Sequence, residues 1–265
     1  MQESFIYRTD ALVLAAMLCC LMLLAIFLGL KMGKAGIRKQ KDNQNKPDNS
    51  ANGTIVASLF GLLGFLLAFT FGMSGSRFDN RRAAIINEAN AIGTATLRAD
   101  LYNDTVRALL RKDFKAYTEA RIRYHEAGRD KQKMDLANQQ ADSLGALLWK
   151  RVSALARDKD NLISSNQMIP ALNEMLDDAT LRNSGEQARV PDSIVIMLFV
   201  LSVACAFYVG YSSAEKKGRP DWFIVTGFCL LTSIVIYITL DLDRPRRGII
   251  KVDSSHQSML DLRKL

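Results

Sequence analysis

The apolar residues of this chain are gathered into blocks rather than spread with the period of a soluble helix or strand. Four blocks, at residues 11–30, 55–73, 193–211 and 222–240, contain no Asp, Glu, Lys, Arg or His. Each is close to the roughly 20 residues a helix needs to cross a hydrocarbon core, so the pattern predicts four transmembrane helices. The first block is not a removable signal. Its amino-terminal flank carries a single Arg, the apolar run is long, and basic residues follow where a cleavage site would need small ones.

Between the second and third blocks, residues 77–190 read as helix almost throughout, with the stretch RNSGEQARVP looping back to the bilayer, and the fold class is all-α. Phe78, Ile85, Ile92, Ala99 and Val106 recur every seventh residue, with Ala89, Thr96 and Leu110 between them, so one apolar seam runs outward from the membrane. The second span and this helix are expected to form one continuous rod to about His125. Gly128 ends it, and Asp130 caps a second helix with its seam at Met134, Ala137, Ala141, Leu144, Leu148, Val152 and Leu155. A third helix is expected from about Ser165, with Pro170 in its first turns and Ile169, Leu172, Leu176 and Ala179 facing inward. The later spans both open on Pro-Asp, at 191–192 and 220–221, where an acid complements the helix dipole. They are joined by a short loop into a hairpin anchored by Trp222, Tyr208 and Tyr211 at the interface. The expected organisation is a first transmembrane helix with its flank (1–30), a polar basic linker (31–53), a second transmembrane helix (54–76), a helical extramembrane domain (77–190), the hairpin (191–240) and a carboxy-terminal tail (241–265).

Charge narrows the partners. The 265 residues carry 35 Lys+Arg against 27 Asp+Glu, a formal +8, and the excess cations lie near span ends, which favours lipid head groups over nucleic acid. The flanks disagree about sidedness. Lys31, Lys34, Arg38, Lys39 and Lys41 place the linker in the cytoplasm, whereas Arg77, Arg81 and Arg82 with Arg244, Arg246, Arg247 and Lys251 place the helical domain there. The expected location is the cell or inner membrane, as a multi-pass protein. Cys19, Cys20, Cys205 and Cys229 all sit in apolar blocks, where a thiol behaves as a small hydrophobe. His125 and His256 lie in no metal motif and are expected as solvated surface side chains. No enzyme, metal or cofactor is expected, and spans without ionisable groups argue against a proton-driven pump.

The second span has the most specific pattern. At about 100° per residue, Ala57, Gly61, Gly64, Ala68, Gly72 and Gly75 fall within an arc of roughly 80°, a small-residue face suited to tight helix packing. Phe65 and Phe69 line one edge; Phe60 and Phe71 flank the other. A phenylalanine pair fills interhelical or lipid-facing space or, if the helix lines an oligomer axis, forms apolar rings that gate by dewetting. Beyond the span, Asn87, Glu88, Asn90, Thr94 and Arg98 make a polar band, either hydrogen-bonded between helices or forming a vestibule wall.

The Phe-rich span ending in Arg77, Phe78, Arg81 and Arg82, the following NEANAIGTATLRADL (87–101), and the closing Leu242, Asp243, Arg244, Pro245 and Gly248 resemble the bestrophin-like domain family. The resemblance extends from about Thr54 onward. It implies kinship with bestrophins, pentameric anion channels with four spans per subunit, whose second span lines an apolar neck. On that resemblance Phe65, Phe69 and Met73 are neck residues, Arg77, Arg81 and Arg98 attract small inorganic anions, and the chain is a homo-oligomer, pentameric by analogy. Animal bestrophins close a calcium site with an acidic run; only Asp177-Asp178 is comparable here, so calcium gating is not implied. Two functions are compatible with these features. One is an oligomeric, passive ion channel, anion-selective if the arginines face its axis. The other is a membrane-anchored helical scaffold or sensor that oligomerises and binds a partner without ion flux.

Overall fold

The computed structural model describes residues 5–40, 50–214, 221–250 and 253–265. Part of the expected linker lies outside them, as do Lys41, Pro220 and Lys251. Nine α-helices occupy the described residues, with no strand among them: α1 Phe5–Arg8, α2 Ala11–Gln40, α3 Ser50–Arg98, α4 Asp104–Glu126, α5 Lys131–Leu155, α6 Leu162–Gln187, α7 Asp192–Ser213, α8 Trp222–Leu242 and α9 Asp253–Asp261. Four stretches are long and apolar enough to cross a membrane; they include α2, α3, α7 and α8, as the hydropathy blocks predict. The helix of the first span continues to Gln40, well past the expected boundary at residue 30.

The chain forms two compact units. In the first, residues 1–76 with 189–244, α2 packs against α7 and α8 over an apolar core that includes Leu18, Met22, Ile26, Cys229 and Ile236. The contact between α2 and α7 is backbone to backbone. A Cβ at Gly210 would lie 2.1 Å from the Ile26 carbonyl oxygen, and one at Gly29 would lie 2.2 Å from that of Phe207. A Cβ at Gly33 would come within 2.8 Å of the Tyr211 oxygen. Where lipid supplies no hydrophobic drive between helices, this close approach is what holds them.

The second unit, residues 77–188 with 245–265, is an antiparallel bundle of the end of α3 with α4, α5 and α6. The expected rod does not run to His125. It stops at Arg98, passes through a 3₁₀ turn at Ala99–Leu101, and restarts at α4. Asn103 is the reason: its backbone is extended and its side chain accepts the Val106 N–H, an N-cap that begins a new helix. Pairs that straddle this turn, Asp100 with Arg111 and Glu88 with Arg121, show that α4 folds back on α3. The apolar seam is nonetheless real: Ile85, Ala89, Ile92, Ala99 and Leu110 are buried in one core with Phe114, Leu148 and Leu172. Gly128 takes positive φ (56°) just past α4, and Asp130 caps α5 by accepting the Lys133 N–H, both as predicted. The third helix starts earlier than expected, after Asp158 caps the turn before Leu162, so Pro170 sits in its interior.

Candidate functional site

The second span has two unlike faces. Leu63, Thr70 and Ser74 are buried, Leu67 packs on the core of the first unit, and Phe60 meets Phe228 edge to face at 5.4 Å. The small-residue face points elsewhere. Apart from the adjoining backbone of α3 itself, no heavy atom of the described residues comes within 4 Å of a Cβ built at Gly61, Gly64, Gly72 or Gly75, and Ala68 is exposed. Among the described residues nothing packs tightly on this stripe; the glycines that make close helix contact are Gly29, Gly33 and Gly210. Beside the open stripe Phe65 and Phe69 are 66% and 56% exposed, with rings stacked at 6.3 Å and 14°. Met73, one turn on, is half-buried. Only 11% of the most apolar window of the α3 span is buried, against 39%, 33% and 39% for the other three.

The three candidate arginines separate. Arg77 and Arg98 are partly exposed, and Arg98 donates to the Gln167 carbonyl. Arg81 is buried (4% exposed), so it does not offer its charge at the surface. The polar band also divides: Asn87, Asn90 and Thr94 are exposed, whereas Glu88 turns into the bundle.

There Glu88 is the centre of an ion network. One carboxylate oxygen accepts from Arg121 and the other from Arg182 at 2.7 Å, and all three side chains are at most 1% exposed. Arg121 also donates to Asn138 and Asn183 at 3.1 and 3.2 Å. Arg246 forms a bidentate pair with Glu186, at 2.9 and 3.1 Å, and donates to the Tyr124 and Gly128 carbonyls. The guanidinium groups of Arg121, Arg182 and Arg246 lie 4.8, 5.5 and 4.6 Å from the Tyr124 ring centroid. Breaking one such buried pair is costly, because it strands the remaining charge away from water.

A second polar centre explains the closing Asp243-Arg244. In the first unit Asp243 accepts from the Tyr7 hydroxyl and the Val190 N–H, each at 2.7 Å, while Arg244 donates to the Thr9 and Ile6 carbonyls at 2.6 and 2.7 Å. The motif staples α1 and the approach to α7 onto the end of α8. Burial, then the adjacent Asp243 carboxylate, pushes the Tyr7 hydroxyl far above its ordinary value.

The two histidines are not the surface side chains expected. They stack with ring centroids 3.8 Å apart, and His256 is only 7% exposed. No local signal links residues so distant in sequence. Among the described residues no group of three or more His, Cys, Asp or Glu side chains could hold a metal ion.

No curated protein and no solved structure matches the chain. A family model does, that of the bestrophin-like domain, over residues 19–257. That match takes in most of α2, all of α3 to α8, and the Asp243-Arg244 pair. The chain is thus an integral membrane protein that belongs to the bestrophin-like domain family.

Proposed function

We propose that copies of this chain associate through the open face of α3 and form a passive ion channel. Phe65, Phe69 and Met73 supply its apolar constriction, and Arg77 and Arg98 supply the positive potential that draws small anions to it. Arg81 leaves this set because it is buried. The observation that carries the reading is the bare glycine face, open along the most apolar part of the second span, beside two exposed and stacked phenylalanines. Small residues let helices of neighbouring copies approach closely, and an apolar ring holds a pore shut by expelling water. The resemblance to bestrophins supports reading the assembly as five copies and its preference as one for anions.

Replacing the ring with small hydroxyls lets water remain, so Phe65→Ser and Phe69→Ser should raise chloride flux in liposomes above that of the native protein. Arg77→Glu should move the reversal potential toward cations. Oligomers that carry no chloride, nitrate, potassium or sodium flux above empty liposomes, both native and Phe→Ser, would leave the scaffold reading in its place.

A further inference from the structure

The helical bundle has two charged flanks that its own contacts leave unbalanced. From Leu162 to Leu181, α6 carries Glu174, Asp177 and Asp178 and no cation. All three are at least partly exposed, and none forms an ion pair among the described residues. Burial, then the carboxylates of Glu174, Glu88 and Asp177, holds the Asp178 carboxyl above its ordinary range, a strain that a cation brought from outside would relieve.

On α4 the balance is reversed. Arg107, Arg111 and Arg123 are taken by Asp104, Asp100 and Gln140, and Asp113 and Glu119 by Arg151 and Arg263. Lys112 and Lys115 are left exposed, without an ion pair among the described residues. The carboxy-terminal segment lies beside them, with Leu262 packed over Gly93 of α3, and adds Arg263 and Lys264 against Asp261.

The two flanks sit at one level. Arg121 of α4 and Arg182 of α6 take the two carboxylate oxygens of Glu88, so both helices flank α3, and α5 packs on both. Further along, Asp100 pairs with Arg111 of α4, and Arg98 donates to the Gln167 carbonyl of α6. Lys112 and Lys115 fall between Arg111 and Arg121, and Glu174 to Asp178 fall between Gln167 and Arg182. Both sets therefore lie beside the same length of α3, which here exposes Asn87, Asn90 and Thr94.

We propose that the acidic flank of α6 in one copy docks on the basic flank of α4 in the next, head to tail, beside α3. This rests on the reading that copies associate through α3, and it supplies the order in which their bundles meet. Two α6 flanks would repel each other, as would two α4 flanks, so pairing of like with like is disfavoured. A contact between two different surfaces is heterologous, and repeated around an axis it closes into a ring instead of stopping at a pair. Exposed ion pairs add little tightness singly; what they set is the choice and register of the partner.

The test uses the full chain purified in mild detergent. In a background lacking the native four cysteines, Lys115→Cys with Glu174→Cys in one chain should be linked by a short bismaleimide into a ladder that ends at the size of the native oligomer. Either cysteine alone should leave single copies, because neither flank meets its like. In a second arm, Lys112→Glu with Lys115→Glu should weaken the association of diluted oligomers by at least about tenfold, since attraction becomes repulsion at every contact. Adding Glu174→Lys and Asp178→Lys to the same chain should restore it. An intact oligomer without the ladder, linked pairs from either single-cysteine variant, or a fourfold reversal that associates no better than the twofold one would each overturn this contact while leaving assembly through α3 in place. Native protein that is a single copy throughout would overturn both.

Discussion

Glu88→Ala is expected to be the most damaging single change in the helical bundle. It leaves Arg121 and Arg182, each 1% exposed, without the carboxylate that both oxygens of Glu88 supply. Removing one partner of a buried ion pair costs about 3–5 kcal/mol. Two lost charge-assisted hydrogen bonds, at about 1.5–3 kcal/mol each, give a similar figure. Part is recovered because Arg121 keeps Asn138 and Asn183 and Arg182 keeps Glu186 at 3.7 Å, which points to about 3–4 kcal/mol. For a domain of this size that is a drop of about 6–16 °C in the melting midpoint. Trp149 on α5 reports it by fluorescence in a Trp222→Phe background. The same physics makes a less obvious prediction. Replacing the whole triad by apolar groups (Glu88→Leu, Arg121→Met, Arg182→Leu) removes the stranded charges along with the pairing, so the triple variant should melt above Glu88→Ala. A shift under about 2 °C for Glu88→Ala, or a triple variant that melts lower still, would refute the network as the bundle's organising contact.

Further outcomes follow from the same contacts. Gly210→Ala forces a methyl against the Ile26 backbone and should cost about 1–3 kcal/mol or more in thermal stability, whereas Gly64→Ala, which meets nothing within 4 Å, should leave the subunit's melting point unchanged. Gly64→Leu or Ala68→Leu should instead shift size-exclusion profiles toward smaller species, by crowding the face proposed to join copies. Asp243→Ala strips the partner from the Val190 N–H and one acceptor from Tyr7, and should lower stability by about 1–3 kcal/mol, read as faster amide exchange in α1. Single cysteines at Ser50 and Ser143, in a background lacking the native four, should react with an impermeant reagent from opposite sides of the membrane; labelling from one side would contradict the four-span topology.

Much of this architecture is legible in the chain because the signals are local. Charge-free blocks of about 20 residues announce spans directly. Asp130 and Gly128 mark a helix start and stop by cap chemistry that needs no tertiary information. The hairpin at Asn103 is hidden in the pattern because Val106 and Leu110 continue the heptad, and a seam of that period is the same for one rod as for two helices folded face to face. Asn103 itself was the signal. Glu88 lay within reach too: it falls between Ile85 and Ile92 on the buried seam, where a carboxylate demands cations. The glycine stripes show what a sequence leaves open. Gly29 and Gly33 have the same small-residue spacing as Gly61 to Gly75, and only the packed chain shows which set is used inside the subunit. The histidine stack had no local trace, since 130 intervening residues bring its rings together only through the docking of α9.

The central claim is that the open face of α3 meets other copies of the same helix around a shared axis. A single-particle structure of the purified oligomer in lipid tests it most directly. The account predicts that the glycine faces of neighbouring copies are in contact and that Phe65 and Phe69 from every copy converge on an axial path that continues past Met73. Oligomers whose α3 glycines face lipid, or whose centre is closed by lipid with the phenylalanines turned outward, would contradict it.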